Sequence, residues 1–231
     1  MKAAFWSRRT HKWIGLVIGV QALLWMISGV YMTVISLDLI HGDHLVHPVS
    51  AALEPEKDRL PPDRLLALYP GATSFRLKQL LGQEVFEVKQ GGETALVDAY
   101  SGKQISPLEK DAVLTLAKSI YQGEAKVSKV EWVMQAPQEI ATRAALIPVW
   151  AVHFADQGET TLYFSPSTGE LLARRHSLWR WFDFVWMLHI MDYDQRTDVN
   201  NNLLRAAAGT GLAFALSGMW LLFYSFRRRS A

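Results

Sequence analysis

The sequence predicts an α+β membrane protein in which two transmembrane helices flank an external domain of two helix-plus-antiparallel-sheet units. Three observations carry this. The 231-residue chain holds two long uncharged runs, one near each end. Between them the apolar residues fall into short alternating runs, and the turn motifs closing those runs occur twice in the same order. Half of the residues are hydrophobic and only 20% are charged, below the roughly 25% typical of soluble domains. Such a chain is partly solvated by lipid.

Composition excludes several chemistries before any element is placed. Twenty-four Lys and Arg against 22 Asp and Glu give a net charge of +2, which argues against a nucleic-acid partner. The chain has 0 Cys, so disulfides, iron–sulfur clusters, thiolate nucleophiles, Cys-based zinc sites and covalent haem attachment are ruled out. Any metal falls to His, carboxylate or Met. No Ser-His-Asp order, phosphate loop, HExxH or dinucleotide glycine pattern is present.

Residues 1–12 form a basic N-terminus carrying Lys2, Arg8, Arg9 and Lys12, and residues 13–37 form the first span. Its 25 uncharged residues from Trp13 to Leu37 are enough to cross a hydrocarbon core of about 30 Å. The run exceeds a signal-peptide core, and Ser36-Leu37-Asp38-Leu39 offers no small-x-small cleavage site, so the anchor is expected to stay uncleaved. The second span is placed at 203–226, with Ala206 to Phe226 uncharged and Arg227-Arg228-Arg229 following in the tail 227–231. The positive-inside rule then puts both termini in the cytoplasm and residues 38–205 outside, in the periplasm of a bacterial inner-membrane protein. Ser28-Gly29 in the first span is echoed by Ser217-Gly218 in the second, and Gly15 and Gly19 form a GxxxG packing pair.

The external domain is expected as a His-containing linker at 38–59, one unit at 60–108, a second at 109–175 and an interfacial amphipathic helix at 178–191. Pro61-Pro62-Asp63 starts the first unit's helix and Tyr69-Pro70-Gly71 ends it, while Tyr121-Gln122-Gly123 ends the second unit's helix, whose core face is Val113, Leu116, Ala117 and Ile120. Val85 to Val88 is answered by Val149 to Val152, and Ser101-Gly102-Lys103 by Ser167-Thr168-Gly169-Glu170. The offset between copies grows from 52 to 64 to 67 residues, which locates an insertion near Met134 to Pro148.

This order of elements resembles the PepSY module, a small helix-plus-sheet domain. The ends of the chain are similar to the PepSY-associated transmembrane family: Thr10-His11-Lys12-Trp13-Ile14-Gly15 is similar to its opening, and Leu188-His189 with Leu203 to Tyr224, including Ser217-Gly218, is similar to its closing helix. The resemblance implies haem b and electron transfer in a ferric-reductase-like or iron-uptake system, since larger members with two helix pairs include such reductases. Soluble PepSY modules imply instead a haem-free module that regulates or inhibits a partner protein. This chain has one helix pair, and Ile190-Met191 stands where the family has Thr-Gly after its closing histidine.

Five histidines are candidate cofactor residues: His11, His189, His41, His44 and His47. His11 shares a helical face with Gly15, Ile18, Ala22, Trp25 and Gly29, a small-residue groove that would accept a flat porphyrin with an axial imidazole; the alternative is an interfacial polar residue among Arg8, Arg9 and Lys12. His189 ends the stripe Trp179, Phe182, Trp186, His189, and stands either as a ligand or as a packed neutral histidine. His11 and His189 are expected at opposite ends of a helix of about 25 residues, on the order of 35 Å apart, too far to share one iron. The outer site would draw a second ligand from His41, His44 or His47, which with Asp43 would also suit a divalent metal, or from a second chain; a solvated linker halted by Pro48 is the alternative. The inner site would need His11 of a neighbouring copy, hence a homodimer. His153 and His176 are expected to be structural or exposed. The expected partners are the lipid bilayer, a membrane or periplasmic protein, and a second copy.

Overall fold

A computed structural model of the chain describes residues 2–47, 52–53 and 58–227. Pro48, Arg228 and Arg229, used in the expectations above, lie outside the described residues. The chain divides into two compact units, Met1–Ser36 with Trp181–Ala231, and Leu37–Arg180.

The first unit is helical. Helix α1 spans Lys2–Val34 and helix α6 spans Asn202–Arg227, with candidate membrane spans at Phe5–Val34 and Asn202–Phe223. Leu16, Val17, Val20 and Phe223 are 70–75% exposed, as apolar side chains facing lipid tails must be. The chain is a membrane protein. α1 and α6 pack along each other at small residues: a Cβ built on Gly15 would lie 2.8 Å from Phe214 Cε2, so only a glycine admits that ring.

Helix α5, Ser177–Ile190, carries the expected aromatic stripe, and its last turn is tied into the span. Gln21 donates to the Leu188 carbonyl at 3.1 Å, Trp25 Nε1 to the His189 carbonyl at 2.7 Å, and Asn201 to the Ile190 carbonyl at 2.9 Å. A helix leaves its last carbonyls without internal partners, and in an apolar setting each orphan costs several kcal/mol. Three side-chain donors meet that need. Residues 191–201 then form an ordered loop around Asp192, whose carboxylate accepts from the backbone N–H groups of Asp194, Gln195, Thr197 and Asp198 at 2.9–3.3 Å.

The second unit begins with a short helix α2, Leu37–His41, and a 3-10 turn, Asp43–Leu45. Helix α3, Pro62–Leu68, precedes the antiparallel strands β1 (Ala72–Leu80), β2 (Gln83–Gln90) and β3 (Glu93–Asp98), and helix α4, Lys110–Ile120, precedes β4 (Val127–Val133), β5 (Val149–Phe154), β6 (Thr161–Phe164) and β7 (Leu171–Arg175). The first copy retains a rudiment of the fourth strand in the lone bridge between Val97 and Gln104. Gly102 and Gly169 hold matching left-handed turns, with φ of 71° and 69°.

The two copies form one compact unit rather than two domains. Val113, Ala117 and Ile120 of α4 share a core with Val152, Phe154, Leu162 and Phe164 of the second sheet and with Val85 and Leu96 of the first. Leu65 of α3 fills the first sheet's other face against Phe86, Val88 and Val97. The insertion forms a kinked 3-10 segment, Gln138–Leu146, whose Ile140 covers Val149, Ala151 and Tyr163 on the remaining face of the second sheet. Lys78 and Arg76 of β1 reach Thr168 and Glu170, and both also pair with the buried Glu87. Burying that carboxylate alone would be costly, so the two cations are what permit it.

Candidate functional site

The helical unit contains two hydrogen-bonded His–Ser pairs. His11 Nδ1 lies 2.7 Å from Ser217 Oγ, and His189 Nδ1 lies 2.7 Å from Ser28 Oγ. Each serine belongs to one of the two Ser-Gly steps, and the pairing is crossed: α1 supplies the histidine of one pair and the serine of the other. Seventeen residues separate His11 from Ser28 and twenty-eight separate His189 from Ser217. The difference of eleven is the length of the loop 191–201 between α5 and α6. α5 and α6 together therefore repeat α1 with a loop spliced into the middle.

Both serine hydroxyls also bond back to their own helix. Ser28 Oγ donates to the Leu24 carbonyl at 2.6 Å, and Ser217 Oγ to the Phe214 carbonyl at 2.7 Å, the back-bond typical of serine within a helix. His11 stacks on Phe214 with ring centroids 4.2 Å apart and 10° between planes. His189 extends a run of near-parallel rings, with Phe182 and Trp186 at 6.3 Å and Trp186 and His189 at 6.5 Å. Both imidazoles are half-buried, and neither Nε2 has a hydrogen-bond partner among the described residues.

Because His189 meets α1 at Ser28, the two rings are separated by seventeen residues of helix, about 25 Å, rather than the 35 Å that the sequence suggests. They still cannot share one metal. The Tyr31 hydroxyl, one turn beyond Ser28, is enclosed without a hydrogen-bond partner, and a Cβ on Gly29 would meet nothing within 4 Å. An unpartnered hydroxyl and an unpartnered ring nitrogen thus stand within one turn of each other at the His189 end.

The remaining candidates do not gather on one face. His41 ends α2, His44 sits in the 3-10 turn, and His47 follows the bridge between Val46 and Tyr121, so no single helix presents all three. His44 packs edge-on against His176 at 6.0 Å, and Asp43 pairs with Arg174 at 2.6 Å. Among the described residues no group of three or more His, Asp or Glu is placed to hold a metal ion. His176 and His153 have partners that the sequence did not suggest: His176 Nε2 donates to the Ile40 carbonyl at 3.2 Å, and His153 Nδ1 lies 3.0 Å from Thr161 Oγ1. Burial lowers the pKa of both.

A second feature lies on the sheet unit. β4 is an edge strand, and between it and α4 runs a groove of about 800 Å³ with Leu114, Ala125, Val127 and Val130 in its lining and Lys110, Lys118, Lys126 and Lys129 around them. Lys129 pairs with Glu131 at 2.5 Å.

The family model described as PepSY-associated TM region matches residues 8–231. A search of curated proteins gives no match to the chain.

Proposed function

Because the chain belongs to the family of the PepSY-associated TM region, we propose that it is an accessory or haem-b electron-transfer component of a membrane redox or iron-uptake system. The observation that supports this most is the pair of half-buried imidazoles, each bonded at Nδ1 to a serine and unpartnered at Nε2. Haem iron would supply one-electron exchange, and His11 and His189 would each hold one such group. The chain's own contribution is to orient the two rings and to surround them with apolar helix faces that limit water.

One imidazole per site leaves each iron short of a second protein ligand. We assign it to the same histidine of a second copy of the chain, which makes the working unit a homodimer. His41, His44 and His47 are the runner-up source for the His189 site, but His44 is already packed on His176 and the His47 backbone N–H bonds the Ile120 carbonyl. We place the protein in a bacterial inner membrane with both termini cytoplasmic and residues 38–205 periplasmic, on the strength of the flanking Lys and Arg residues.

The test is a reduced-minus-oxidised spectrum of detergent-purified chain expressed with haem. Two sites per homodimer predict about one b-type haem per chain, halved by His189→Ala or by His11→Ala and unaltered by His153→Ala. A wild type without haem after haem-replete expression sinks this reading. The second reading, a membrane-anchored binding module for a partner protein, is favoured by the lysine-ringed groove along the β4 edge. An exposed strand edge can add an extended peptide, and Lys110, Lys118 and Lys126, beside a Lys129 already paired to Glu131, favour an acidic one. Saturable binding of an acidic peptide, lost on reversing Lys118 and Lys126 to Glu, is its test.

A further inference from the structure

We infer that Ser28 and Ser217 are positioning residues: each fixes its imidazole with the proton on Nδ1 and so makes Nε2 the ligating atom. The inference rests on the haem reading for its ligand but on proton counting for its substance. A serine hydroxyl has one proton. If Ser28 gives it to the Leu24 carbonyl, 2.6 Å away, then toward His189 the oxygen only accepts, and Nδ1 carries the hydrogen. The opposite tautomer would redirect the serine proton to Nδ1 and forfeit the bond to Leu24. That is one hydrogen bond fewer, while Nε2 has no partner among the described residues in either tautomer. The same count holds for His11, with Ser217 Oγ 2.7 Å from Nδ1 and 2.7 Å from the Phe214 carbonyl.

The two sites reach this arrangement separately, each pairing a histidine of one half of the crossed repeat with a serine of the other. Nothing about helix packing alone requires it, because Ser28 and Ser217 would satisfy themselves on their own carbonyls without any histidine nearby. What the histidines gain is a defined lone pair on Nε2, as metal-bound imidazoles gain from an acceptor behind Nδ1. In the second Ser-Gly step the serine also stands beside a glycine that permits close approach: at Gly218, a Cβ would lie 3.1 Å from His11 Cε1.

The experiment uses full-length chain in nanodiscs, labelled with ¹⁵N-histidine, without haem, with the two rings assigned from His11→Ala and His189→Ala samples. Ring-nitrogen shifts distinguish the tautomers directly. Wild type should show both rings with Nδ1–H. Ser28→Ala should release His189 to a tautomer mixture and leave His11 alone, Ser217→Ala should do the reverse, and Ser→Thr at either position should restore the shift because the hydroxyl is kept. Haemin titration reads the consequence: each Ser→Ala should weaken its own site about 10- to 100-fold, whereas each His→Ala should abolish it. Unchanged ring shifts in both Ser→Ala variants, or Nε2–H in wild type, overturn the inference. A wild type that shows both rings as Nδ1–H yet takes up no haemin overturns the haem reading instead, and the ring shifts alone then decide the role of the serines.

Discussion

Gly218 lies directly against His11, so close that a Cβ there would approach His11 Cε1 to 3.1 Å, whereas a Cβ on Gly29 would meet nothing within 4 Å. The two glycines of the Ser-Gly repeat therefore carry different loads. Gly218→Val should push the imidazole off Ser217 and cost about 1–3 kcal/mol in detergent unfolding, the usual range for overpacking. Gly29→Val should leave both the melting temperature and the His11 ring unmoved. Equal melting temperatures for the two variants would tell against the contact.

Asp192 organises the loop between α5 and α6 by accepting four backbone N–H groups. Those bonds hold its carboxyl below the usual carboxylate range, those from Asp198 and Thr197 foremost. The stabilisation is present above the unfolded pKa near 4 and is lost as pH falls through the lowered folded value, so the loop should stay ordered at pH 5. Asp192→Ala should raise amide exchange across residues 193–200 while leaving the strands protected. Exchange unchanged in that segment would mean the loop is held by something else.

The paired turns predict paired sensitivities. Gly102 and Gly169 have φ of 71° and 69°, and Cβ atoms there would reach Leu68 Cδ1 at 2.6 Å and Leu108 Cδ1 at 3.0 Å. Replacing either with Val adds left-handed backbone strain of about 1–3 kcal/mol to the clash. Urea unfolding of the full chain should shift to lower concentration in both variants, more at Gly102 because its contact is closer.

His176 links the sheet unit's stability to pH. Burial pushes its pKa down, opposed by the bond to the Ile40 carbonyl, so the unfolded chain takes up the proton at higher pH than the folded chain. Stability is then full above the unfolded value of about 6.5 and declines as pH drops through it towards the folded value. The wild type should melt lower at pH 5.5 than at pH 7.5. His176→Gln, which keeps a donor for Ile40, should narrow that gap, with His153 maintaining part of it. A gap of unchanged width would remove His176 from the account.

The α+β membrane class was legible because its signals are local. Uncharged runs of 25 and 21 residues state their own length, and the repeated Ser-Gly-Lys and Ser-Thr-Gly-Glu turns announce the duplicated sheet. What the sequence did not disclose is who meets whom. Ser28 and Ser217 read as packing residues, and His11 and His189 each as either a ligand or a packed polar residue with no named partner, because the bonds joining them bridge 161 and 206 positions. One signal was available: the His-to-Ser spacings differ by the length of the polar stretch 191–201. The docking of α5 on Gln21 and Trp25 was hidden for another reason. An apolar 14-residue helix looks the same whether it lies on a bilayer surface or caps its carbonyls with side chains from another helix.

The crossed pairing also sets an order of events during synthesis. His11 leaves the ribosome 206 residues before Ser217, which at about 5–20 residues per second is about 10–40 s. Through that interval α1 sits in the bilayer with its serine bonded to its own carbonyl and its histidine undirected. The hydroxyl bonded to the His11 ring is made 206 residues after it. A chain halted before α6 would therefore present His11 with neither the Ser217 hydroxyl nor the Phe214 ring beside it.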